Sequence, residues 1–395
     1  MNTEGMTDAV RDLAALSTRL LLHLGSDKAN LALSPLSFHS VLVLLAAGAT
    51  GDTLDQIVSF LGPSDGTAHA SLASHVASGI LAGGGKGVEP DVRSAVGVWV
   101  DSSFRLRPAF AEKVASQYKA AACAMPFQEK AEEARVEINR WFECKTGGLI
   151  TDLMPEGHLS SGSVLVIGNA LYLRGTWLDP FDPDDTKDGD FFVPGESRPV
   201  RVPFMRNTNS QYISCHAGFK VLRLPYECRG NHRFSMHIYL PDGRDGLQAL
   251  VRELSSDTSG LLDRCVPQQA VKVGDFRIPK FKASFKHLKI EASGLLKDLG
   301  LERPFVFSRD FAEMVDCSEP LAVGSVLHQC VVEVDEDGTM AAAATEAQMM
   351  FGCCLEDYEE PERVDFVADH PFLFLVTEDH SGIVLFAGQV LNPLL

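Results

Sequence analysis

The sequence predicts a mixed α+β fold, on three observations. The first 60 residues read helical, and an amphipathic helix follows at Glu129 to Lys145. From Val164 onward the pattern changes to short β-rich runs separated by turn residues. No Pro/Ser-rich linker, internal repeat or charge boundary divides the two parts, so one domain spanning 1–395 is expected.

The elements follow in order. Leu13, Leu16 and Leu20 recur at helix spacing. Ser34-Pro35-Leu36-Ser37 supplies a capping serine and an N-terminal proline before the apolar stretch Val41 to Ala47. Residues 29–60 therefore read as a buried helix, a turn at Gly48 to Gly51 and a second helix. A turn from Gly83 to Gly87 precedes a strand at Ala95 to Val100. Glu129 to Lys145 carries Ala134, Ile138, Trp141 and Phe142 on one face and stops at Gly147-Gly148, the pattern of an amphipathic helix. The predicted strands are Val164 to Tyr172, Phe191 to Phe204, Tyr212 to Pro225, Phe234 to Leu240, Val271 to Phe281, Val331 to Val334, Phe372 to Val376 and Ile383 to Val390.

Composition narrows the function. With 35 Lys+Arg against 53 Asp+Glu the formal net charge is -18, and no basic cluster offers a track for phosphates, so no nucleic-acid partner is expected. The longest apolar run, Val41 to Ala49, is too short to span a membrane, and none is expected as a partner. The first eight residues carry Glu4 and Asp8 rather than a basic start with an apolar core. There is no Asn-x-Ser/Thr sequon, and nine cysteines are scattered without ligand spacing. A reduced, cytoplasmic setting is the expectation, with release outside the cell left open. Gly83-Gly84-Gly85-Lys86-Gly87 fails as a phosphate loop because Ile80 and Gly87 stand where glycine and Ser/Thr are needed. G-x-S-x-G, H-E-x-x-H and a strand-led G-x-G-x-x-G are missing, so no catalytic residue, metal ligand or cofactor is assigned.

One segment does not fit a passive fold. Val331 to Val334 reads as a strand, Asp335-Glu336-Asp337-Gly338 as a turn, and Thr339 to Met350 as helical by propensity. Read with period two, Thr339, Ala341, Ala343, Thr345, Ala347 and Met349 form a small or apolar side, with Met340, Glu346 and Gln348 opposite. Small side chains without proline suit a strand that slips between two others, with Gly338 as its flexible hinge.

Here the residues carry a resemblance. Glu336-Asp337-Gly338-Thr339 followed by Ala341, Ala342, Ala343 and Ala344 resembles the proximal hinge of an inhibitory serpin. Ser34-Pro35-Leu36-Ser37 resembles the family's shutter helix start, and Asn169 to Trp177 its most recognisable strand. Ile138-Asn139 through Gly148 to Asp152 is similar to the helix across the main sheet, Leu295 to Gly300 to a later helix, and Phe372-Leu373-Phe374 with Phe386-Ala387-Gly388 to the closing strands. The form Phe366 to Phe374 is similar to the plant, Z-type branch.

The resemblance implies the serpin fold: a helix-rich N-terminal part, large mixed sheets and an exposed reactive-centre loop at about 336–363. It implies an irreversible suicide-substrate inhibitor that traps a protease as an acyl-enzyme when the cleaved loop inserts into the main sheet. The alternatives are a non-inhibitory serpin, for storage or binding, and an enzyme whose site escapes motif reading. Family spacing from Glu336 puts the reactive bond at Gly352-Cys353, or one residue earlier at Phe351-Gly352. Met349, Met350 and Phe351 then form the bait. The first frame suits papain-like cysteine proteases and the second chymotrypsin-like serine proteases; the absence of Lys or Arg from Met349 to Cys354 disfavours a trypsin-like target. Ser34, Ser37, Asn169 and His328 match the polar network that gates sheet opening, and Trp177 the aromatic near the start of insertion; plain core packing is the alternative for each. Cys353 and Cys354 read either as small filler or as a redox-sensitive bait. Met340 and Glu346 depart from the family's hinge loop, although their outward parity should not block insertion. Leu355 to Arg363 is expanded. No heparin-type site is evident, no cofactor is implied, and a monomer is expected.

Overall fold

The computed structural model describes residues 3–25, 30–82, 89–256, 264–284, 292–316, 319–339 and 363–395. Helix α1 (Thr3–Leu24) turns Leu13, Leu16 and Leu20 into the core. A short strand β1 (Leu31–Leu33) leads to α2 (Pro35–Gly48), where the Ser34 side chain accepts the Ser37 N–H and Pro35 occupies the first turn, as the sequence pattern anticipates. Most of α2 is buried all round, which is why it has no polar stripe and lies inside the molecule. Then come α3 (Gly51–Leu61), α4 (Gly66–His75) with a wider turn at Val76–Ile80, β2 (Asp91–Asp101), α5 (Pro108–Tyr118) and β3 (Ala121–Met125). Helix α6 (Phe127–Thr146) buries Ala134, Ile138 and Phe142 against the sheet and ends at Gly147, whose φ of 68° is the left-handed stop expected there.

The back half is strand-rich: β4 (Leu165–Thr176), β5 (Lys187–Phe191), β6 (Val200–Arg206), β7 (Gln211–His216), β8 (Phe219–Pro225) and β9 (Phe234–Pro241) precede α7 (Leu247–Ser256). Strands β10 (Ala270–Val271), β11 (Val273–Pro279) and β12 (Phe281–Ser284), helix α8 (Ser293–Asp298), and β13 (Ser325–Gln329), β14 (Val331–Val334), β15 (Gly338–Thr339), β16 (Val364–Val367), β17 (Phe372–Glu378) and β18 (Val384–Val390) follow. Three expected strands are in fact composite. Phe191 to Phe204 divides into β5 and β6, which pair antiparallel across the turn between them. Tyr212 to Pro225 is the β7–β8 hairpin, turning at Gly218 with φ 88°. Val271 to Phe281 spreads over β10, β11 and β12, and it breaks at Lys280, whose N–H makes a last bond to the Pro203 carbonyl before the chain leaves the four-stranded sheet for the central one. The expected turn at Gly83 to Gly87 lies outside the described residues.

Three sheets result. One runs β1-β18-β17-β9-β8-β7-β10, a four-stranded one β16-β11-β6-β5, and the central one β12-β14-β15-β4-β2-β3, with β13 also on β4. Core residues from Ala9 to Leu391 form one cluster that draws on all three sheets and the helices packed on them. A second cluster, including Trp99, Ile138, Phe142, Leu153, Val166 and Leu327, fills the space between that sheet and α6. Among the described residues, no helix is long and apolar enough to cross a membrane.

Candidate functional site

The central sheet is closed at one end and parted at the other. Ser325–Gln329 of β13 pairs parallel with Val166–Ala170 of β4, five rungs that include Leu327↔Gly168 and His328↔Asn169. Beyond them the chain continues as β14, reverses at Asp335 to Gly338, and re-enters the sheet as β15. That two-residue strand lies between β14 and β4: Thr339 pairs with Val334 on one side and Gly175 on the other, and Gly338 with Thr176.

The reversal is held on every side. The Asp335 carboxylate accepts the N–H groups of Asp337 and Gly338, each at 3.1 Å, an Asx-type turn that the Asp-x-Asp-Gly sequence encodes. The Trp177 indole N–H donates to the Asp335 carbonyl at 3.0 Å, its backbone N–H to the Asp337 carbonyl at 2.8 Å, and the Phe181 N–H to the Glu336 carbonyl at 2.9 Å. Glu336 accepts from Lys280 Nζ at 2.7 Å and from the Thr186 hydroxyl at 2.8 Å. Burial pushes the Glu336 carboxyl up, but those bonds outweigh it and the net shift is downward. Asp335 moves the other way, raised by burial against the turn's own N–H bonds.

Thr339 is 1% exposed, and its hydroxyl meets the Tyr226 hydroxyl at 2.6 Å. Tyr226 stacks on Trp177, ring centroids 4.7 Å apart. Gly338 is a glycine for a different reason than hinge freedom: a Cβ there would collide with the Gly175 carbonyl oxygen. A Cβ on Gly175 would in turn stand 2.8 Å from the Tyr226 ring. The two glycines let the strands approach at the point of entry.

Further down the inner face, the first turn of α2 covers the closed rungs. The Ser34 N–H donates to His328 Nε2 at 3.2 Å, and the His328 ring packs against Phe38. An accepting Nε2 requires the neutral ring, and burial does hold the His328 pKa down to about 3. The Asn169 Oδ1 and Ser37 Oγ atoms are buried without a hydrogen-bond partner among the described residues. Ser34, Ser37, Asn169 and His328 thus meet in one place, and Trp177 stands with Glu336, Asp337, Gly338 and Thr339 beside β15. Ala341 to Ala344, Met349, Met350, Phe351, Gly352 and Cys353 lie outside the described residues. Lys280, Thr186 and Tyr226 escaped sequence reading, because they reach their partners across 56, 150 and 113 positions and no local spacing marks them.

A family model described as serpin (serine protease inhibitor) matches residues 11–393. The chain belongs to the serpin family. Serpin-Z2A of Triticum aestivum is 46% identical over 368 residues, 92% of this chain and 90% of that protein. Serpin-ZX of Arabidopsis thaliana is 41% identical over 396 residues, 98% and 99% of the two chains. Among solved structures, Arabidopsis AtSerpin1 in its native stressed conformation superposes with a TM-score of 0.87 at 39% identity over 99% of each chain. Human thyroxine-binding globulin shares the fold at 23% identity, with a TM-score of 0.78 over 98% of each. This serpin therefore has plant serpins as relatives, and proteases are the class of partner that its family inhibits.

Proposed function

We propose that this serpin is an irreversible suicide-substrate inhibitor whose cleaved loop completes the strand that β15 begins. The observation that carries this reading is the position of Gly338 and Thr339, already paired between β14 and β4. Insertion of a reactive loop is the family's familiar case of strand addition and release of stored strain. In this chain it would part five β13–β4 rungs and replace each with a rung on either side of the new strand.

The protein supplies bait and a slot rather than catalytic groups. A protease attacks Gly352-Cys353, or Phe351-Gly352, and forms an acyl-enzyme. Residues from Met340 onward then follow Thr339 into the sheet and drag the enzyme with them. Glu336, Trp177 and Tyr226 hold the hinge in place, while Ser34, Ser37, Asn169 and His328 line the rungs that must open. The protein acts in the cytoplasm as a monomer without a cofactor. Its targets are a papain-like or a chymotrypsin-like protease, according to which bond is used.

Incubation with chymotrypsin and, separately, papain tests this. The expected result is an SDS-resistant covalent complex with at least one enzyme, together with a released fragment that begins at Cys353 or Gly352. Cleavage at those bonds with no complex from either enzyme would contradict it and favour a non-inhibitory serpin.

A further inference from the structure

Helix α6 is held to one strand of the central sheet by both of its ends. At its start the Gln128 N–H donates to an Asp101 carboxylate oxygen at 3.1 Å. At its finish Arg93 Nη1 donates to the Thr146 carbonyl at 3.2 Å. Arg93 and Asp101 both belong to β2, eight residues or about 26 Å apart along the strand. Gln128 and Thr146 are eighteen residues or about 27 Å apart along the helix. A carboxylate thus meets the positive end of the helix dipole and a guanidinium the negative end.

The contact at the far end is preorganised. Asp91, its side chain 2% exposed, takes Arg93 Nε at 3.0 Å and Nη2 at 2.7 Å, a fork that leaves Nη1 for the helix. Gly147 follows Thr146, and a Cβ there would collide with Nη1, so the guanidinium reaches the last carbonyl only because the helix stops on glycine. Arg93 stands opposite Tyr172, three residues along β4 from the Gly175 that pairs with Thr339. It therefore fastens the end of α6 nearest β15.

The β13–β4 rungs lie beneath this helix. A Cβ on Gly168, which pairs with Leu327, would stand 2.9 Å from the Phe142 ring and 3.5 Å from Leu153. Leu327, Val166 and Ala170 share an apolar cluster with Ile138 and Phe142. At that packing a strand enters between β13 and β4 only if α6 rises. Arg135 and Asn139 donate to the Met154 carbonyl, and Asn139 accepts the Met154 N–H, bonds that join α6 to the segment after it rather than to a strand. Near its start the helix is interrupted at Lys130, whose φ of -142° and ψ of 49° are not helical. The turn bound to Asp101 and the rest of α6 are thus two pieces joined by a bend.

Resting on the inhibitory reading above, we propose that Arg93, positioned by Asp91, is a latch that times sheet opening: when its bond to Thr146 lets go, α6 swings about the bend at Lys130 and the β13–β4 rungs part beneath it. Arg93 touches neither bait nor protease. It sets how often cleavage ends in a trapped enzyme rather than a released one.

Arg93→Met keeps the side chain's length and removes its donors. That change strands the buried Asp91 carboxylate, so Asp91→Asn/Arg93→Met is measured beside it. In the uncleaved proteins, amide hydrogen exchange from Glu143 to Gly148 should quicken about tenfold in both variants, while Gln128 and the β2 amides keep wild-type rates. On cleavage, insertion is followed by intrinsic fluorescence, since Trp141 of α6 packs edge-on against Trp99 of β2 at 5.3 Å. Both variants should insert several-fold faster and need fewer inhibitor molecules per protease trapped. A last turn unchanged in exchange, or one that loosens while insertion keeps its wild-type rate, would overturn the latch and leave the inhibitory reading intact. Exchange that quickens throughout the sheet would do the same, as the mark of a merely structural pair. No insertion by the wild type itself, seen as no gain in melting temperature on cleavage, would overturn the inhibitory reading and the latch with it.

Discussion

Thr339 is where side-chain chemistry and strand entry meet. It is buried against Tyr226, and on the inhibitory reading it is the last residue before the segment that follows it into the sheet. Thr339→Arg forces an unpaired cation into that contact, at a cost on the order of several kcal/mol, enough to expel the hinge. The variant should still be cleaved but should form almost no covalent complex; an unchanged complex yield would refute the role. Lys280→Ala tests the neighbouring bond. The lysine side chain is 38% exposed, so the expected loss is only about 1 kcal/mol at pH 7 in urea unfolding. Glu336 is shifted downward in the folded state, so its contribution is present above the ordinary glutamate range and lost as pH falls below it. The difference between wild type and variant should therefore vanish near pH 3, and a difference that persists there would place its origin elsewhere. The inward side of Thr339 was legible from period-two alternation alone. Its partner was not, since Tyr226 comes from a distant strand end and is brought in by tertiary packing.

At the scale of elements, caps and stops were readable where one residue dictates a backbone conformation. Ser34-Pro35 starts α2 and Gly147 ends α6 because each satisfies or tolerates something its neighbours cannot. The breaks inside long β-rich runs were missed because the residues on both sides favour strands, and only a single Gly218 in the β7–β8 hairpin, or Pro279-Lys280 where the chain changes sheets, marks the interruption. The rungs of β13 on β4 left no signal at all, being a parallel pairing of segments far apart in sequence. Buried histidines tie these elements to pH. His39 of α2, His237 of β9 and His328 of β13 are each held near a pKa of about 3, chiefly by burial, and His69 of α4 is lowered as well. Unfolded, the same rings ionise below about 6.5. Between those values the unfolded chain binds more protons, so stability should fall as pH drops from about 7 toward 4. Denaturant midpoints at pH 7.5, 6 and 4.5 check this, and a flat profile would show that the rings ionise in the folded protein.

For the whole molecule, the acidic excess has a location. Ten carboxylates and no Lys or Arg fall between Glu333 and Glu362, more than half of the net charge of -18. Among the described residues Glu333 pairs with Lys282 and Glu336 with Lys280, and on the inhibitory reading the net negative charge of the segment would act at long range on a protease with a basic rim. Association with such an enzyme should slow several-fold between low and physiological salt, whereas a rate indifferent to salt would remove steering from the mechanism. The central claim is that the strand begun by Gly338 and Thr339 is completed after cleavage, which changes the stability of the entire fold. The melting temperature before and after limited cleavage in the loop measures this directly. Insertion predicts a large upward shift as β15 lengthens into a full strand between β14 and β4; a melting curve that cleavage leaves unmoved would contradict it.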